Sequence, residues 1–101
     1  LLVNIFYSES QELIQPALIY IGNSNSHLWR KFNITINTLA EIFPDVNYYI
    51  GDINTLNIKK YSLDEIPCIL FRANNKLSHY CGKMIDINEL TKFIQNELNK
   101  E

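Results

Sequence analysis

Apolar residues along this chain follow two rhythms, and the alternation between them outlines a fold. Short β-branched and aromatic runs occupy 2–7, 17–21, 46–50, 67–72 and 76–81, with the lengths and residue types of strands. The run Ala17-Leu18-Ile19-Tyr20-Ile21 has no polar member, which predicts a strand covered on both faces. Over 27–43 the pattern changes: Trp29, Phe32, Ile36, Leu39 and Phe43 recur at the spacing of one helical face. Ile87, Leu90, Ile94 and Leu98 repeat that spacing near the end of the chain.

Polar residues punctuate these runs. Ser8-Glu9-Ser10-Gln11 has the spacing of a capping box and predicts a short helix through Ile14, stopped by Pro16. Gly22-Asn23-Ser24-Asn25-Ser26 is a loop that offers N-caps to the helix after it, and Pro44-Asp45 ends that helix. Residues 55–61 suit a helical turn before a loop over 62–66. Asn tolerates positive φ, so Asn74-Asn75 can form the centre of a primed turn and join the last two strands as an antiparallel hairpin. Asp86-Ile87-Asn88-Glu89 then caps the closing helix. The order β-α-β-α-β-α-β-β-α implies an α/β fold, a mixed central sheet with helices on both faces. There is no internal repeat, and no apolar run is long enough for a membrane span, so insertion by this domain is not expected.

Composition narrows the class. A chain of 101 residues with 47% hydrophobic and 20% charged content is enough for one domain, 1–101. Nine Lys and Arg against eleven Asp and Glu leave a net charge of -2, which provides no basic field for nucleic acid. Two cysteines are too few for a disulfide framework, and too few for a zinc quartet unless His27 and His79 join them. They do not settle the compartment. The chain starts at Leu1 with no charged leader-like stretch, and is read as a domain excised from a longer protein.

Ile66-Pro67 before an apolar strand and hairpin, Gly82 before a capped helix, and Asp52-Ile53-Asn54 at the end of the third strand make the chain resemble a thioredoxin-fold protein over nearly its whole length. The resemblance implies that Pro67 is the family's cis-proline, beside a trans proline that merely starts a strand. It gives Pro67 and Gly82 structural roles. It also implies where redox chemistry should sit, in a Cys-x-x-Cys whose first thiol is activated at a helix N-terminus. Counting on from 17–21, that stretch is Asn25-Ser26-His27-Leu28-Trp29, with Ser26 in place of the attacking cysteine and Trp29 in place of the resolving one. The buried acid of many members falls on Tyr20. Dithiol exchange at this place is therefore not expected, and no catalytic residue is assigned.

Cys68 and Cys81 are the remaining thiols. Counting back from an Asn74-Asn75 turn places Ala73 opposite Lys76 and, down the ladder, Cys68 opposite Cys81. Cα separations of about 4.5 or 5.5 Å in antiparallel pairs would accept a disulfide. Two free, buried thiols are the simpler expectation, since cysteine is often a plain core residue. A metal site from Cys68, Cys81 and His79 lacks a fourth ligand, so neither metal nor other cofactor is expected. Ser26 and His27 do not make a nucleophile and base, because neighbours on a helix project roughly 100° apart; Ser26 is better taken as a cap. Asn33-Ile34-Thr35 matches the glycosylation pattern but lies in a helix, where a chance match is the simpler account. Trp29 either starts the helix's core stripe or lines a peptide groove.

By resemblance, the domain is similar to the non-catalytic domains of protein disulfide isomerases, or to thioredoxin domains of J-domain co-chaperones. That implies a redox-inactive binding or scaffold domain of a folding factor. Its partners would be unfolded polypeptide, or neighbouring domains, and its surface Asn25, Ser26, His27, Leu28, Trp29, Ile66, Pro67 and Cys68. The endoplasmic reticulum lumen is the compartment this favours. The alternatives are an atypical oxidoreductase using Cys68 and Cys81, a serine-substituted relative acting on thiols, and a purely structural interaction domain.

Overall fold

Ala17–Gly22 is buried at every position, and the sheet is built around it. The computed structural model describes residues 3–56, 65–81 and 86–100. Its elements are β1 (Val3–Ile5), β2 (Ala17–Gly22), α1 (His27–Ile42), β3 (Asn47–Asp52), β4 (Cys68–Ala73), β5 (Lys76–Cys81) and α2 (Ile87–Asn99). The strands form one sheet in the order β1-β3-β2-β4-β5. β2 runs parallel to β3, with Gly22 opposite Asp52, and antiparallel to β4, with Ile21 opposite Cys68. The sheet is mixed, as strands alternating with helices and then a hairpin predict.

The period of two along β2 sorts its side chains between two cores. Leu18 and Tyr20 join Tyr48, Ile69 and Phe71 against Phe32, Ile36 and Leu39 of α1 and Leu90 and Ile94 of α2. Ala17, Ile19 and Ile21 join Tyr49, Cys68 and Leu70 on the other face, packed with Phe6, Leu13, Ile53 and Leu56. Both described helices thus pack on one face, and among the described residues the other is covered by irregular chain. None of these helices is long and apolar enough to cross a membrane.

The helix expected over 8–14 does not form. Gln11 closes a turn instead: its Oε1 accepts from the Tyr7 N–H at 2.7 Å and its Nε2 donates to the Ile5 carbonyl at 3.0 Å. The Ser8 hydroxyl meets that of Ser10 at 3.0 Å, so the reciprocal half of the box is not made. Pro16 leaves room for fewer than two turns, and the residue before a proline is driven out of helical geometry. The segment runs on as cover, with Ile14 N–H donating to the Tyr49 hydroxyl at 3.1 Å. The turn expected over 55–61 falls mostly outside the described residues, and Gly82 lies outside them too.

Elsewhere the local signals act as read. Asn74 and Asn75 have φ of 53° and 62°, and β4 and β5 pair from Ala73 opposite Lys76 to Cys68 opposite Cys81. Gln15 clasps the turn, its Oε1 accepting from Asn75 N–H and its Nε2 donating to Asn75 Oδ1. Asp86 caps α2 by accepting from Asn88 N–H at 2.8 Å. Ser78 on β5 donates to Glu97 of α2 at 2.7 Å, which holds the Glu97 carboxyl below its usual range against the opposing effect of burial. The Tyr48 hydroxyl lies 2.9 Å from the carbonyls of Leu39 and Phe43, satisfying acceptors at the end of α1. Burial raises its pKa to about 12.

Candidate functional site

The parallel pairing of β2 and β3 ends at Gly22 and Asp52, and the chain leaves β2 there to start α1. Backbone donors in that loop need partners, and Asp52 supplies them. Its Oδ1 accepts from Ser24 N–H at 3.2 Å, Asn54 N–H at 3.1 Å and Asn54 Nδ2 at 2.9 Å. Asn54 Nδ2 also reaches Asn23 Oδ1 at 3.1 Å, and Asn23 Oδ1 accepts from Asn25 N–H at 2.9 Å. Burial works against the Asp52 charge, but the hydrogen bonds from Ser24 and Asn54 outweigh it and hold the carboxyl below its ordinary 3.8. This Asx network positions the start of α1. The Asp-x-Asn spacing is its sequence signal, although no role follows from the spacing alone.

At the helix start the Ser26 hydroxyl accepts from Leu28 N–H at 3.1 Å, with Ser26 in extended geometry. It is an N-cap. His27 is exposed and Leu28 half-buried. Trp29 is half-buried as well: its ring meets Tyr20 edge-on at 5.8 Å, so it belongs to the core stripe and keeps an exposed part. Tyr20 is also stacked on Phe32 at 4.0 Å. Burial raises its hydroxyl pKa to about 12.

The start of β4 comes to the same end of the sheet, because Cys68 is opposite Ile21. The Ile66–Pro67 peptide is cis, as is Gln15–Pro16. Pro67 is buried and Ile66 half-buried. The two halves of the expected surface, Asn25 to Trp29 and Ile66 to Cys68, thus share one sheet end.

The cysteines depart from the simpler expectation. Cys68 and Cys81 are joined in a disulfide, with Cα atoms 4.4 Å apart. Cys68 is buried but Cys81 is exposed on β5, which lies at the sheet edge among the described residues. The physical reason is the turn: two Asn residues at positive φ leave no bulge, so the ladder delivers the two sulfurs to one face. Sulfurs bonded to each other cannot serve as thiolate ligands, which removes the metal arrangement with His79. Along the same face, His79 lies opposite Leu70 and Leu77 opposite Arg72. A cavity of about 320 Å³ opens there over Phe6, Leu13, Ile19 and Leu70, with Arg72 and His79 in its wall. Neither this cavity nor the Asx network is legible from spacing alone.

No protein-family model matches the sequence, and no curated protein resembles it in sequence. Solved structures do match. Thioredoxin O1 from Arabidopsis thaliana in the oxidized state superposes with a TM-score of 0.71 at 20% identity, over 93% of this chain and 96% of that one. Mitochondrial thioredoxin 3 from Saccharomyces cerevisiae, in its oxidized form, gives 0.63 at 18% identity over 79% and 76%. A designed protein gives 0.66 at 22% over 84% and 78%. Such identities define the fold: this chain is an α/β domain with the thioredoxin fold.

Proposed function

We propose that this domain binds polypeptide, or positions neighbouring domains, within a folding factor, through the surface formed by Asn25 to Trp29 and Ile66 to Cys68. The observation that carries this reading is Ser26. Where a thioredoxin-fold oxidoreductase needs an ionisable thiol, its hydroxyl caps α1, and Trp29 at the partner position packs on Tyr20. A serine hydroxyl is not ionised there, and an indole closes no disulfide. What remains at that sheet end is a backbone edge before Pro67 and aromatic surface, the elements that receive an extended peptide. The folding-factor context and a secretory lumen belong to the same proposal, by analogy with the non-catalytic domains of protein disulfide isomerases and the thioredoxin domains of J-domain proteins. Titrating labelled protein with an unfolded polypeptide is expected to move the amide shifts of residues 25–29 and of Ile66 and Cys68. Shifts that stay in place there would remove client binding.

The Cys68–Cys81 disulfide favours a second reading, a thiol-disulfide oxidoreductase working away from α1. Turnover in an insulin-reduction assay that disappears in Cys68→Ala would establish it.

A further inference from the structure

The disulfide between β4 and β5 joins a buried cysteine to an exposed one. Cys68 is 2% exposed and packed with Ile19, Ile21 and Leu70, whereas Cys81 is exposed on β5, the edge of the sheet among the described residues. Access decides which sulfur of a disulfide a thiolate attacks. The face beside Cys81 carries exposed His79, and Arg72 and Glu9 line the same cavity wall.

We infer that Cys81 is a thiol-accepting site, at which a low-molecular-weight thiol or a cysteine of a bound polypeptide forms a mixed disulfide while Cys68 leaves as the buried thiol. The incoming thiolate forms a new S–S bond to the Cys81 sulfur. The Cys68–Cys81 bond breaks, its electron pair goes to Cys68, and Cys68 takes a proton from water. The incoming sulfur is oxidised and Cys68 reduced, so no further oxidant is needed. A second thiol attacking the incoming sulfur releases Cys81 and a free disulfide, which completes reduction of the pair. Alternatively Cys68, directly across the ladder, displaces the adduct and restores the starting bond. Return is intramolecular, so the adduct is short-lived while Cys68 is present. The inference rests on the second reading above only in using the same disulfide, and it holds whether or not the domain turns over.

The test maps the adduct. Trypsin cuts after Lys60, Arg72, Lys76 and Lys83, which puts Cys68 in peptide 61–72 and Cys81 in peptide 77–83. The full chain is exposed to limiting reduced glutathione, quenched in acid and digested. Glutathione is expected on 77–83 and at least ten-fold less on 61–72, and Cys68→Ala protein treated with glutathione disulfide is expected to hold one glutathione on Cys81. A reduced cysteine-bearing peptide in place of glutathione tells the two sources apart: the thiol that gives the faster adduct on 77–83 is assigned as the substrate class. Adduct on 61–72 at an equal level, or a disulfide that resists both thiols until urea unfolds the chain, overturns the proposal. Adduct on 77–83 without insulin turnover sustains it and removes the oxidoreductase reading instead.

Discussion

Gly22 lies against the ring of Tyr20, two residues back on the same strand. A Cβ at Gly22 would fall 2.8 Å from a ring carbon of Tyr20 and 2.9 Å from its hydroxyl oxygen. The ring has little room to yield, since Phe32 stacks on it and Trp29 meets it edge-on. The glycine therefore makes space for an aromatic ring just before the candidate site. Gly22→Ala is expected to cost about 1–3 kcal/mol in urea denaturation, the range for overpacking a core. Combining it with Tyr20→Leu is expected to cost less than the sum of the single changes, by on the order of 1 kcal/mol. Additive losses would show that the two positions are not coupled.

Asp52 makes stability depend on pH. Its carboxyl titrates below its ordinary 3.8 when folded, so the unfolded chain binds a proton there more readily. The stabilisation is fully present above the unfolded value and is lost as pH falls through the folded one. Urea midpoints measured from neutrality down to about pH 3 are expected to drop less in Asp52→Asn than in the parent. The variant is also expected to broaden the amide signals of Ser24 and Asn54, which the carboxylate now holds.

The hairpin turn separates backbone preference from side-chain bonding. Asn75→Ala is expected to destabilise by about 1–2 kcal/mol, because alanine resists the left-handed region. Asn75→Gly restores the backbone freedom and leaves the N–H that donates to Gln15, so its loss is expected to be a fraction of that. Equal losses in thermal denaturation would place the energy in the Gln15 contact instead of the turn.

Local rules carry far in this chain, and they stop where a partner distant in sequence decides. The β2 strand, the stripe of α1, the Asn74-Asn75 turn and the Asp86 cap are legible because each needs only neighbours in sequence. The capping-box spacing at Ser8 misleads for the same reason: Gln11 Nε2 donates to the carbonyl of Ile5, and the segment lies on the sheet as cover. The pairing register of the cysteines follows from counting, whereas their unequal burial depends on β5 lying at the sheet edge among the described residues.

By itself, then, the sequence determined a mixed α/β sheet, the hairpin register and the loss of any thiol at the start of α1, since periodicity, φ preference and residue chemistry are properties of short stretches. The tertiary structure decided the rest. It placed both described helices on one face, tied Asp52 to the loop before α1 and left Cys81 exposed while Cys68 lies inside. These are outcomes of which strands become neighbours and which lie at the edge, and burial, access and hydrogen-bond partners follow from that arrangement of the whole chain.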